Sequence, residues 1–440
     1  MRNNPSDNGA SGFTIVELLV SMLIMVEVLV AAFTVFDVHN RMARVQTQIT
    51  EMQQALRVAQ YDMVRTTRMA GRGGLAANFS QASTATKTWL ASNPIEVRDN
   101  LIEDDDRKVA LGLVDSPTVV PGTDMLIVRG CLSGFMVQID PADFQADPDT
   151  PGTIDTGLIT IRRSTIAGRE QNLDELRVAG FDSPLLLQSA INRGQFAVAE
   201  VSGVAGDADA VTVSLDFVSQ EDPVNPLVGL PDPAMAVSFV CVLEEYRYYV
   251  RENYAVAGDD TSEPLPRLAR ARMIPGTELP FGADNANLQL DLADQIIDLQ
   301  VALGFDTDYS LDGASPGAFD DDADQLGDDD VLYEGADDDA RATDDWLWNS
   351  SSDDPTEAQY VTNALTPGRP VRLYNVRITT VARASRPDPK YLAPDFDPVV
   401  GHDWVENNDY DASPADVWKQ GLNRNFSRSI LQTVVDLRNI

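Results

Sequence analysis

The sequence predicts an α+β fold: one long N-terminal helix packed on an antiparallel β-sheet domain that carries a large acidic insertion. Three observations predict it. An apolar run from Phe13 to Val38 continues, past a few polar residues, as an apolar stripe that reaches Met63. Gly71, Gly73 and Gly74 then end that pattern, as glycine commonly ends helices. Beyond Gly74 the chain changes to short β-branched and aromatic runs separated by Gly, Pro and Asp turns. A long helix followed by many strands argues for segregated α+β architecture.

Taken in order, residues 1–12 are polar and read as a leader ending in Ser11–Gly12. Residues 13–39 read as a membrane-spanning half-helix and 40–73 as its amphipathic continuation. The roughly 26 residues from Phe13 to Val38, at about 1.5 Å rise each, extend ~39 Å, enough to cross a ~30 Å hydrocarbon core with some tilt. A secretory signal would place its charge before the apolar run and its cleavage site after it. Here the candidate cut lies before the run, so the span stays with the mature chain. A simple signal anchor is the alternative, but it leaves Glu17 and Glu27 unexplained, because a carboxylate in hydrocarbon is costly and usually has a partner. Glu17 lies one helical turn from Phe13, whose α-amine would be free and positive after cleavage. Glu27, about 21 Å from Phe13 along the axis, is either neutral in lipid or paired with a neighbouring subunit.

Val45, Ile49, Met52, Leu56, Ala59 and Met63 alternate spacings of four and three, which lines one helix face. Residues 74–440 read as an extracytoplasmic β-rich domain with the acidic insertion at 306–357. Candidate strands are Thr123–Arg129, Gly157–Arg163, Gln195–Val201, Ala210–Val218, Ala236–Arg251, Arg267–Ile274, Ile296–Phe305, Val371–Ala384 and Phe426–Arg438. Alternation in Tyr246-Arg-Tyr248-Tyr-Val250 and in Leu431-Gln-Thr433-Val-Val435-Asp-Leu437 predicts one buried face in each. Cys131, two residues past the first of these strands, and Cys241, within Ala236–Arg251, both stand in strand-like runs. Outside the cytoplasm they are permitted one disulfide; two buried free thiols are the other reading, since sequence does not give their separation.

Gly12-Phe13-Thr-Ile-Val-Glu17-Leu resembles the processing site of type IV prepilins: Gly before the cut, an aromatic after it, and Glu at the fifth mature position. The resemblance implies cleavage between Gly12 and Phe13 by prepilin peptidase, N-methylation of Phe13, and an assembly role for the Glu17 carboxylate. Such leaders are usually basic, whereas Arg2 here is offset by Asp7. The helix end, Gln54 to Gly71, is similar to that of PilW-type minor pilins, with Thr67 in place of an Asp. Four later segments resemble the same family: Pro121–Arg129; Glu245–Glu252 with Leu268–Arg272; Ile296–Asp308; and Ser429–Asn439. Residues 75–120 and 140–235 carry no such motif.

The resemblance implies a pilin-like fold and a minor pilin that helps prime pilus assembly near the tip. It would sit as a single-pass protein of the inner membrane before assembly and on the pilus or cell surface afterwards. Implied partners are other minor and major pilins, prepilin peptidase, a tip adhesin, and the membrane through the N-terminal helix. A GspJ-like pseudopilin of a type II secretion system is the alternative in the same class. An adhesin module on a pilin stem is the rival from another class.

The formal charge of −36 argues against nucleic acid or anionic lipid as a binding surface. Nineteen acidic residues between Asp306 and Glu357, against Arg341 alone, supply half of it. Enzyme readings lack material: the only histidines are His39 and His402. Gly313-Ala-Ser315-Pro-Gly317 matches a nucleophile-elbow pattern but lacks the strand before it and helix after it that the motif needs.

Asp308-Tyr-Ser310-Leu-Asp312-Gly313 has oxygen ligands at the first, third and fifth positions and glycine at the sixth, the front half of a calcium loop. Asp306 and Asp320 are supplementary ligands; the competing reading is a solvated polyanionic loop. If calcium orders this stretch, excess calcium raises the melting temperature by mass action, and sodium at matched ionic strength does not replace it. Calorimetric titration showing no calcium binding would leave the loop reading alone.

Overall fold

The computed structural model describes residues 14–72, 94–98, 119–120, 123–132, 136–147, 156–163, 184–189, 196–207, 209–217, 237–251, 265–273, 275, 289–306, 372–386 and 426–437. The leader and most of the acidic insertion lie outside them. Two compact units, Met1–Glu51 and Met52–Ile440, divide the chain within its helix α1 (Ile15–Thr67).

In the first unit α1 is long and apolar enough to cross a membrane, and its apolar side chains from Ile15 to Val38 are exposed. Several of its polar side chains bond within the helix. The hydroxyls of Ser21, Thr34, Thr47 and Thr50 donate to the carbonyls of Glu17, Val30, Ala43 and Gln46 at 2.8–3.0 Å. A spanning helix meets its hydrogen-bonding requirement in this way, because hydrocarbon supplies no partner. Arg41 pairs with Asp37 one turn back at 2.8 Å.

In the second unit the remainder of α1 buries Met52, Leu56, Ala59 and Met63 on one face, with Gln60, Thr66 and Thr67. Each fully buried Leu or Met there contributes about 1.5–3 kcal/mol relative to exposure. Four of the six residues of the expected stripe are therefore buried: Met52 is 4% exposed, whereas Val45 and Ile49 are 47% and 42% exposed. The helix ends at Thr67, ahead of the predicted glycines, and a turn runs on through Gly71, whose φ is +67°.

Fifteen strands are described. They are β1 (Ile95–Arg98), β2 (Met125–Gly130), β3 (Met136–Gln138), β4 (Phe144–Asp147), β5 (Thr156–Arg162), β6 (Leu185–Ser189), β7 (Phe196–Gly206) and β8 (Ala210–Phe217). Then come β9 (Val237–Val242), β10 (Glu244–Arg251), β11 (Arg267–Met273), β12 (Gln289–Asp294), β13 (Ile296–Asp306), β14 (Arg372–Arg383) and β15 (Arg428–Asp436). They form a five-stranded sheet ordered β1-β2-β10-β11-β12, a three-stranded sheet β13-β14-β15, and a seven-stranded sheet β3-β9-β6-β7-β8-β5-β4. Every strand pairing is antiparallel.

One core joins the helix face to the first two sheets through Leu126, Val128, Tyr248, Val250, Leu299, Val301, Ile378 and Val435. A second cluster, including Met125, Ile127, Tyr249 and Ala269, buries the opposite face of the five-stranded sheet. A third, including Ile159, Ile161, Leu187, Val213 and Val240, belongs to the seven-stranded sheet. The chain passes from the five- to the three-stranded sheet at Gln295. Its φ of +61° is held by bonds from the Arg383 N–H to its carbonyl and from Arg383 Nε to its side chain, at 2.9 and 2.7 Å.

Three expectations are corrected. Ala236–Arg251, expected as one strand, breaks at Leu243, and its halves β9 and β10 belong to different sheets. The Leu243 N–H donates to the Pro184 carbonyl at 2.9 Å, one position past the Leu185↔Val242 pair, and the next residue, Glu244, already pairs with Gly130 of β2. The run Tyr246–Val250 does not bury one face alone: Tyr248 and Val250 face the helix core, while Arg247 and Tyr249 are buried on the other side. Strands β1, β3, β4, β6 and β12 were not expected, being short or, like Leu185-Leu-Leu-Gln-Ser189, lacking alternation.

Strands β13 and β14 are adjacent and paired as far as Asp306↔Arg372, so residues 307–371 begin and end side by side. Replacing 307–371 by a four-residue Gly-containing turn should therefore leave helix content and cooperative unfolding intact. Circular dichroism with urea denaturation checks this; loss of the cooperative transition would mean that the segment supports the core.

Candidate functional site

The features that point beyond folding lie at the two ends of α1. Thr14 and Glu17 form a reciprocal cap at its start. The Thr14 N–H and hydroxyl both donate to Glu17 Oε2 at 3.0 Å, and the Glu17 N–H donates to the Thr14 hydroxyl oxygen at 3.3 Å. This is a capping box, which satisfies helix N–H groups that have no partner within the helix. Its Thr-x-x-Glu spacing is legible in the sequence, yet reading Glu17 only as the partner of a terminal amine passes over it. Gly12 and Phe13 lie outside the described residues. Glu27 is exposed in the middle of the apolar run.

At the other end, polar groups fasten α1 to both sheets. The Tyr248 hydroxyl bonds Asp62 Oδ2 at 2.9 Å and the Thr66 hydroxyl at 2.7 Å, and Arg270 Nη1 donates to both Asp62 oxygens at 3.1 and 2.9 Å. Burial, reinforced by the Asp62 charge, pushes the Tyr248 phenol far above its ordinary range, so it stays a neutral donor. Toward the three-stranded sheet, Gln60 Nε2 donates to the Ile378 carbonyl and the Thr380 hydroxyl, each at 3.2 Å, and to the Leu431 carbonyl. Thr433 donates to Gln60 Oε1.

Just beyond the helix, the Gly71 N–H donates to the Arg129 carbonyl and the Cys131 N–H to the Arg72 carbonyl, both at 3.0 Å. Gly130 is required at this crossing. Its φ is +151°, and a Cβ there would lie 3.2 Å from Arg72 N and Met69 O. Beside it the buried Arg129 donates to Glu245 and Glu96, each at 2.6 Å, and Arg247 bonds the other Glu245 oxygen at 2.6 Å. Burial works against the Arg129 charge, but Glu245 and Glu96 outweigh it, so its pKa is raised.

Cys131 and Cys241 are joined in a disulfide, with Cα atoms 5.9 Å apart. Of the candidate calcium ligands, Asp306 ends β13, where its backbone pairs with Arg372, and Asp308, Ser310, Asp312 and Asp320 lie outside the described residues. Among the described residues no group of three His, Cys, Asp or Glu side chains is placed to hold a metal ion.

The described parts of the four segments with family likeness lie in and around β2, β10, β11, β13 and β15, in the two sheets that carry the helix. The seven-stranded sheet is formed almost wholly from residues without such a motif. No family model, curated protein or solved structure matches the chain.

Asp62→Ala removes the shared acceptor of Tyr248 and Arg270 and should cost about 1–3 kcal/mol of stability. Asp62→Asn keeps the Tyr248 bond and should cost less. Urea unfolding of the detergent-solubilised chain measures both; wild-type midpoints for the two variants would show that the cluster does not hold the helix.

Proposed function

We propose that this chain is a minor pilin of the PilW type, processed between Gly12 and Phe13 and acting in the assembly of a type IV pilus. The observation that carries the reading is one continuous helix with two halves. It begins with an exposed apolar segment of membrane-spanning length and ends with one face buried on antiparallel sheets. The prepilin-like junction directly before that segment, and the family-like segments in the sheets that seat the helix, support it.

On this reading the apolar half holds the subunit in the inner membrane until assembly and then lies among neighbouring pilins. Glu17 has two functions: it caps its own helix through Thr14 and offers a carboxylate to a terminal amine. The partners are other minor and major pilins and a tip adhesin. The acidic insertion, ordered by calcium or solvated, is an appendage of the β13–β14 connection.

Mass spectrometry of the N-terminal peptide from the native host should find methylated Phe13; an intact Met1, or a cut beyond residue 30, would sink the reading. Glu17→Ala should leave cleavage largely intact and reduce incorporation into sheared pili, whereas undiminished incorporation would remove the assembly role from Glu17. Imaging a deletion strain separates the alternatives. Loss of pili supports the assembly role, and normal pili with lost adhesion supports an adhesin on a pilin stem.

A further inference from the structure

The seven-stranded sheet is nested within the chain in an unusual way. The chain leaves the five-stranded sheet at Gly130 and returns to it at Glu244, and these two residues are register partners in the β2–β10 pair. Everything between them is an excursion that starts and finishes at one point on the sheet. Among the described residues, no strand of the excursion pairs with, or packs broadly on, a strand of the other two sheets. The apolar cluster of the seven-stranded sheet shares no residue with the other two; at the base of the excursion Leu132, directly after Cys131, packs in the core beneath the helix. The disulfide crosses the base of the excursion, since Cys131 directly follows β2 and Cys241 lies one residue from the end of β9.

Cooperative unfolding requires a shared core or a shared ladder, and units that share neither open separately. We propose that residues 131–241 form a separately cooperative module, stapled at its base by the Cys131–Cys241 disulfide, that opens without unfolding the sheets that seat α1. The staple acts in two directions. With residues 110 apart in sequence held at a Cα separation of 5.9 Å, the opened module keeps a closed loop and loses the entropy of free chain ends. The same closure keeps Gly130 beside Glu244 while the module is open, so the β2–β10 ladder is not pulled apart from that end.

The base is also fixed on the helix side, through the bond from the Cys131 N–H to the Arg72 carbonyl and the ion pair between Arg129 and Glu245. Both half-cystines are buried, at 0% and 2% exposure. Reductant therefore reaches the sulfurs only through opening of the base, which makes the disulfide a standing staple and not a surface redox sensor.

Hydrogen exchange with mass spectrometry, on the full chain in detergent at increasing urea, tests the module. In the wild-type protein, peptides from β5, β7 and β8 should lose protection together, at lower urea than peptides from residues 52–67, β10 and β14. In Cys131→Ser/Cys241→Ser, exchange in β5, β7 and β8 should rise by about tenfold or more, while that of 52–67, β10 and β14 changes by less than about threefold. The wild-type protein reduced after folding provides the same comparison should the double variant fail to fold. Loss of protection in all three sheets at one urea concentration would overturn separate cooperativity. Unchanged exchange in β5, β7 and β8 after reduction would overturn the staple.

Discussion

The sixteen residues of α1 from Met52 to Thr67 hold two sheets together, and the helix-bearing part of the structure depends on that burial. Met52, Leu56, Ala59 and Met63 supply the apolar part, which is strong but without direction. Direction comes from two polar residues two positions apart. Gln60 bonds β14 and β15, and Asp62 bonds β10 and β11. A slip of the helix by one turn would return methionine and alanine to apolar surroundings, but it would strand a buried amide and a half-buried carboxylate. Leaving such groups unsatisfied costs about 1–3 kcal/mol each, so the polar pair sets the register that the hydrophobic stripe leaves open.

This arrangement explains how a large domain carries long segments without disturbing its centre. Residues 131–241 leave and rejoin the five-stranded sheet between paired strands, and residues 307–371 do the same in the three-stranded sheet. Each lengthens a connection between neighbours. Loop-closure entropy grows only slowly with length, roughly 0.6 kcal/mol per doubling, so long connections cost the core little. The first has a closed base as well, and in the chain-entropy model a cross-link over about 100 residues contributes on the order of 4.7 kcal/mol.

What the sequence made legible follows from how strongly each element's pattern depends on its own residues. The helix and strands β2, β5, β7, β8, β11, β13, β14 and β15 were anticipated to within a few residues at most of their ends, because periodic apolar residues and turn formers announce them. Strand β6 was missed because three successive leucines have no period to read. The switch of sheets at Leu243 leaves no mark, since Val242-Leu243-Glu244 is a plausible strand interior and the change is one of distant partner, from Leu185 opposite Val242 to Gly130 opposite Glu244. Arg247 was misread for a related reason: alternation assigns an arginine to solvent, whereas here Glu245, two residues earlier on the same face, lets it stay buried. At the candidate site, Glu17 stands out in the sequence as an anomalous charge, whereas its capping partner Thr14 is marked only by the Thr-x-x-Glu spacing.

The two halves of α1 solve one problem by opposite means. Before Glu51, six polar interactions close within the helix: Thr14 with Glu17, Asp37 with Arg41, and Ser21, Thr34, Thr47 and Thr50 with carbonyls one turn back. After Met52, Gln60, Asp62 and Thr66 bond groups on the sheets. A helix whose polar groups are satisfied locally keeps its conformation in lipid, where no other partner exists, and needs no domain to complete it. A helix whose polar groups are satisfied across the core holds one register and one orientation. The change from the first kind of bonding to the second falls where the apolar stripe passes from exposed Val45 and Ile49 to buried Met52. Bonding pattern and burial thus change together along α1, whose sequence from Ile15 to Thr67 contains neither Pro nor Gly.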